Sequence, residues 1–144
     1  MKKLILLLLL FSIPTLALSD TKHYGELKRV KYVRNYDGDT ITFNIPNVHP
    51  LFGDQINVRV YGIDTPEIRG KCSLEKARAK RCKIFVKDVM INAKIITLKE
   101  VRRDKYFRIL ANVDIDGKDL SEMLIDAKLA VPYFGEGQKQ DWCK

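Results

Sequence analysis

Two short, turn-rich segments carry the residues that could do chemistry. The first is Asp37-Gly38-Asp39-Thr40. The second begins at Arg59 and runs through Asp64-Thr65-Pro66-Glu67. Together they hold four carboxylates and one arginine. Hard oxygen ligands converging from loops suit a divalent cation such as Ca²⁺. An arginine on a strand between them suits a phosphate, whose geometry its planar fork matches. Each segment taken singly also reads as plain turn chemistry, because Asp-Gly and Asp-Thr-Pro are common turn sequences.

The flanking residues show how such groups could meet. Ile41–Ile45 and Ile56–Val60 alternate apolar and polar residues, the period of a half-buried strand. Pro46–Asp54, rich in Pro, Asn, Gly and Asp, reads as the turn of a hairpin. Folding the chain about Leu51 predicts Asp39 opposite Asp64.

The remaining elements follow from the same patterns. Leu27–Tyr36 reads as a first strand with Val30 and Val33 as apolar anchors. Ser73 is the expected N-cap of a helix through about residue 91. Its apolar stripe is Cys82, Phe85, Val86, Val89, Met90 and Ala93. Lys94–Val101 and Arg108–Asp116 read as further strands joined to a turn at Asp116-Gly117. Asp119 begins a capping-box-like Asp-Leu-Ser-Glu, followed by a helical face of Leu120, Met123, Leu124 and Ala127. Five strands with helices after the third and fifth predict a small α+β domain.

The N-terminus carries a different signal. Lys2-Lys3, an apolar run over Leu4–Leu18 and the small residues of Ala17-Leu18-Ser19 describe an export signal. Residues 1–19 are therefore expected to be a signal peptide and residues 20–144 one domain. The protein is expected in a periplasm or secreted, without stable membrane association after cleavage. The formal net charge is +8, of which Lys2 and Lys3 supply two. A basic exported domain favours polyanionic partners, nucleic acid first among them. A monomer is the default for a small domain without an obvious apolar patch.

Three cysteines follow the signal: Cys72, Cys82 and Cys143. Cys82 lies on the apolar stripe and reads as a core residue. That favours a Cys72–Cys143 disulfide, with Cys72–Cys82 as the alternative. The cysteine spacing and the presence of only His23 and His49 argue against a zinc site.

The three segments Asp37–Thr40, Arg59 with Asp64–Glu67, and Asp104-Lys105-Tyr106-Phe107-Arg108 occur in an order that resembles the staphylococcal nuclease (thermonuclease) family, over about Val30–Tyr133. The resemblance implies a five-stranded OB-fold β-barrel with two main helices. It implies a Ca²⁺-dependent phosphodiesterase, an endonuclease of the micrococcal type acting on DNA and RNA with little sequence preference. Single-stranded or frayed substrate would be preferred. By the same resemblance Asp39, Asp64 and the Thr65 carbonyl would hold Ca²⁺, and Glu67 would position a water. Arg59 and Arg108 would clamp the phosphate, Tyr106 and Tyr133 would lie near the nucleotide, and Asp37 would serve the turn. The family usually has Gly at the positions of Phe107 and Lys128. It also has a further C-terminal helix in longer relatives, expected here to be missing or reduced, with Trp142 packing the tail. The alternative is a non-catalytic OB-fold module that binds nucleic acid.

Overall fold

The computed structural model describes residues 22–104 and 106–144. The expected signal peptide, residues 1–19, lies outside the described residues. A main sheet is built from β1 (Leu27–Lys28), β2 (Lys31–Asn35), β3 (Thr40–Asn44), β4 (Ile56–Val60), β6 (Ile96–Arg103) and β7 (Ile109–Ile115), in the order β1-β6-β7-β4-β3-β2. β5 (Ile63–Asp64) pairs instead with β9 (Val131–Pro132). The helices are the single turn α1 (Pro50–Gly53), the long α2 (Ser73–Asn92) and α3 (Leu120–Asp126), which follows the short β8 (Lys118–Asp119).

The expected first strand is split. Arg29 sits at φ 56° between β1 and β2, so one segment pairs with β6 on one side and with β3 on the other. The sheet order thereby returns on itself, as a curled α+β OB-type sheet requires. β4 and β7 are parallel; the other neighbours in the main sheet are antiparallel.

Alternation fixes what faces inward. Ala111, Val113 and Ile115 of β7 are buried, whereas Leu110, Asn112 and Asp114 face out and stay half-buried. Ile41, Phe43, Val58, Val60, Leu98, Val86 and Leu124 complete a core against α2 and α3. Each such side chain contributes roughly 1.5–3 kcal/mol by leaving water. Cys82, Val86 and Met90 form the buried line of α2, flanked by half-buried Phe85, Val89 and Ala93.

Several expectations need correcting. Val33 is exposed rather than an anchor, because a bulge between Tyr32 and Arg34 turns it out of the pleat. The N-cap of α2 is Cys72, whose Sγ accepts from the Glu75 N–H at 3.3 Å, with Ser73 as the first helical residue. Ala127 is exposed at the C-cap of α3, and Ile125 packs on the core instead. Asp119 does cap α3, its carboxylate accepting from the Ser121 N–H at 2.7 Å and from the Ser121 hydroxyl.

The hairpin register also differs. Thr40 pairs with Arg59, and the Val60 N–H donates to the Asp39 carbonyl at 2.8 Å. Asp39 therefore faces Val60, not Asp64. The pivot lies nearer His49 than Leu51, because the loop contains α1 and positive-φ residues at Asn47 and Gln55.

Residues 133–144 contain no helix or strand. Cys143 is joined to Cys72 across a sequence separation of 71, and Cys82 remains a buried free thiol. Arg78 Nη1 donates to the carbonyls of Trp142 at 2.7 Å and Lys144 at 2.8 Å. Trp142 is buried.

Candidate active site

The turn before β3 is organised by Asp37. Its Oδ1 accepts from the N–H groups of Asp39 at 3.2 Å and Thr40 at 2.8 Å, an Asx turn that commits this oxygen to the backbone. Asn35 ties the turn to α2 by donating to the carbonyls of Asp37 and Lys83, at 2.8 and 3.1 Å. Gly38 packs directly on α2, and a Cβ there would overlap Cys82 Sγ. Burial, with the charges of Asp39 and Asp37 added to it, pushes that thiol up to about 12, so it stays protonated.

Asp39 emerges from this turn almost fully buried, at 2% exposure. Arg59, on the outward face of β4, places Nη1 2.9 Å from both of its oxygens. Nη2 of the same guanidinium donates to the Ile63 carbonyl at 3.4 Å, and Thr40 Oγ1 donates to Asp39 at 3.1 Å. Burial raises the Asp39 carboxyl to about 7; Arg59 opposes this, while Asp37 and Glu67 add to it. A carboxyl pushed up by burial and like charge despite an arginine partner sits where a further positive charge would be welcome.

Asp64 ends β5 and is also 2% exposed. Its Oδ2 accepts from Trp142 Nε1 at 3.0 Å. Lys139 Nζ lies 3.0 Å from Oδ1, close enough for an ion pair but not aligned as a hydrogen bond. Among the described residues, Oδ1 thus meets only the Lys139 ammonium. The same ammonium is 3.5 Å from Glu67 Oε1. Burial works against the Lys139 charge and Arg59 repels it, but Asp64 and Glu67 outweigh both and raise its pKa.

Glu67 is half exposed, with its backbone fixed from below. Glu75, buried in the first turn of α2, accepts from the Glu67 N–H through Oε1 at 3.3 Å and from the Lys71 N–H through Oε2 at 2.8 Å. Gly70 leaves room for this carboxylate; a Cβ there would overlap it. Thr65 and Pro66 are buried between.

The structure therefore brings Asp39, Arg59, Asp64, Thr65 and Glu67 into one cluster. Tyr133 borders it: its N–H donates to the Gly62 carbonyl at 2.8 Å, and Lys139 lies 6.0 Å from its ring. A cavity of about 460 Å³ opens beside Tyr133, Lys139 and Gln140.

Arg108 is paired outside the cluster. Its Nε donates to Asp104 at 2.7 Å, and its guanidinium lies 5.5 Å from the Tyr106 ring. Asp104 also accepts from the Tyr106 and Arg108 N–H groups, at 2.8 and 2.9 Å. Burial opposes the charge, but these donors outweigh it and lower the Asp104 carboxyl. Phe107 takes φ 60° in this turn, the left-handed conformation a Gly would adopt freely. Arg59 pairs with Leu110 across the parallel β4–β7 ladder. Arg108 immediately precedes β7.

Three residues of this site escaped the sequence reading of its chemistry. Glu75 had a signal, since it stands three residues after the N-cap, where a carboxylate often reaches back to orphan N–H groups. Trp142 was expected to pack the tail but not to donate to Asp64. Lys139 had no signal, being one of 26 basic residues.

The donor set consists of hard oxygens, one of them buried and met by a lysine ammonium, and fits a hard divalent cation. Residues 57–142 match the family described as staphylococcal nuclease homologue. The SPbeta prophage-derived endonuclease YokF of Bacillus subtilis (strain 168) is 36% identical over 109 residues, covering 73% of this chain and 34% of that protein. Endonuclease YncB of the same organism is 34% identical over 112 residues, covering 76% of this chain and 50% of that protein. The chain thus spans half or less of the length of these relatives.

Proposed function

Because this chain belongs to the staphylococcal nuclease homologue family, we propose that it is an exported endonuclease that hydrolyses phosphodiester bonds of DNA and RNA. Its dependence on a hard divalent cation, Ca²⁺ by the resemblance to the family, is part of the proposal. The observation that carries it is the convergence of Arg59, Asp39, Asp64 and Glu67, with the buried Asp64 Oδ1 met by a half-exposed lysine ammonium.

Hydrolysis needs an aimed water, an in-line phosphate and neutralisation of the charge that grows on it. Asp39, Asp64 and the Thr65 carbonyl would hold the cation, which would neutralise phosphate charge and acidify a bound water. Glu67, half exposed at the edge of the cluster, orients the attacking water and accepts its proton. Arg59 is held by Asp39 and the Ile63 carbonyl, so it presents its fork at fixed height to a phosphate oxygen. Arg108, held by Asp104 in the turn before β7, would supply a second guanidinium. Tyr133 and Tyr106 give aromatic surface to the nucleotide. Recognition through phosphates and stacking explains the expected lack of sequence preference, and it predicts affinity that falls as salt rises.

The test is release of acid-soluble product from denatured DNA and from RNA by the chain beginning near Asp20. It is run with Ca²⁺, with Mg²⁺ and with a chelator, beside a Glu67→Ser/Arg59→Ala double variant. Turnover that requires a divalent cation and vanishes in the variant is the expected result. Binding without turnover in any metal would replace this reading with the non-catalytic binding module.

A further inference from the structure

Lys139 is placed where the proposed cation chemistry needs positive charge. Its ammonium lies 3.0 Å from Asp64 Oδ1 and 3.5 Å from Glu67 Oε1. It faces the buried Asp64 oxygen that Trp142 does not reach. Among the described residues, the cations paired with these carboxylates are Arg59, committed to Asp39 and Ile63, and Lys139.

Its presentation is built in. Trp142 is buried and donates to the other oxygen of the same carboxylate, Asp64 Oδ2, at 3.0 Å. Cys143 is bonded to Cys72 in the loop ahead of α2, and Arg78 grips the Trp142 and Lys144 carbonyls. The anchor lies only a few residues beyond Lys139. The lysine is therefore tethered at high effective concentration over the site. Its side chain is still half exposed, so its hold on the carboxylates is of the weak, solvent-screened kind and can be broken.

We propose that Lys139 is the site's internal counter-ion: it neutralises Asp64 and Glu67 while no divalent cation is bound, and a divalent cation binds by displacing it. This rests on the reading of Asp64 as a cation ligand. Displacement makes the apparent cation affinity weaker than the oxygen donors alone would give. It also couples occupancy to the tail, since Lys139 and Trp142 hold the two oxygens of one carboxylate. The consequence is a threshold that favours work where the cation is abundant, as outside a cell.

The experiment is calorimetric titration of Ca²⁺ into the oxidised, metal-free protein, wild type beside Lys139→Met. Lys144→Met is the control, because Lys144 pairs with Asp141 in the same tail. Emission of Trp142, the sole tryptophan, is followed in parallel. Lys139→Met keeps the length and packing of an exposed side chain and removes its charge; circular dichroism checks its fold. The expected result is Ca²⁺ binding about fivefold tighter in Lys139→Met, the scale of one partly exposed ion pair, and unchanged in Lys144→Met. Trp142 emission changes with Ca²⁺ in the wild type. Equal or weaker binding in Lys139→Met, with clear binding by the wild type, overturns the counter-ion role and leaves the cation site standing. No binding by either protein overturns the cation reading itself, and this inference with it.

Discussion

Glu75 touches no substrate in this account, yet changing it should weaken both the fold and the chemistry. Its two carboxylate oxygens accept from two backbone N–H groups, Glu67 at 3.3 Å and Lys71 at 2.8 Å, in a side chain only 7% exposed. Glu75→Gln keeps one acceptor and turns an NH₂ toward the other N–H. One buried donor is left unpaired, at about 1–3 kcal/mol. Glu75→Ala leaves both unpaired and adds a cavity, for roughly 3–5 kcal/mol. The Glu67 backbone is then released, and a displacement near 1 Å at a water-positioning group costs about a hundredfold in rate. The assay is urea unfolding of the oxidised protein for stability, with kcat and KM measured on denatured DNA. Glu75→Gln should unfold at lower urea with an unchanged slope and lose kcat at least tenfold, with KM little affected because the arginines proposed to hold the phosphate are untouched. Wild-type stability together with wild-type kcat in Glu75→Gln would refute the reasoning.

Other consequences follow from the same structure. The folded Asp39 carboxyl is raised to about 7 from 3.8, so the folded state binds more protons than the unfolded chain between these values. Stability of the metal-free protein should therefore fall as pH rises from about 4 to about 7. Excess Ca²⁺ should flatten the slope; a urea midpoint that climbs over this range without metal would contradict it. Lys128 sits at φ 57° past the end of α3, with Lys128 N–H to Ile125 and Leu129 N–H to Leu124 both at 2.9 Å, the Schellman pattern. Lys128→Gly should stabilise the fold by about 1 kcal/mol, read as a higher melting temperature, and leave turnover unchanged. Cys143→Ser opens a bridge spanning 71 residues and should cost up to about 4 kcal/mol in urea unfolding under oxidising conditions.

The regular parts of the fold were legible because their signals are local. The alternation of β7, the stripe of α2 and the Asp119 cap each come from neighbouring residues that answer to one surface. The Cys72–Cys143 bridge was legible by default once Cys82 was assigned to the core. The hairpin register was not, because a loop containing a helical turn and two positive-φ residues sets the pivot, and no alternation runs through it. Val33 failed for a related reason, since a bulge breaks the period that would have buried it. Of the site, the residues on the two turns could be named from sequence, whereas the Gly preference at Phe107 and Lys128, both at positive φ, came from the resemblance to the family. The partners that tension the site could not. Trp142 and Lys139 reach Asp64 from the far end of the chain, and only the folded tail brings them there.

The central claim is that Asp64 belongs to a divalent-cation site that drives hydrolysis of nucleic acid. The most direct measurement is the initial rate of cleavage of denatured DNA as Ca²⁺ rises from zero, for wild type and a folded Asp64→Asn variant. The account predicts a saturable Ca²⁺ requirement in the wild type, and a rate at least a hundredfold lower in the variant at the Ca²⁺ concentrations that support wild-type turnover. Equal rates and equal half-saturation in the two proteins would contradict it.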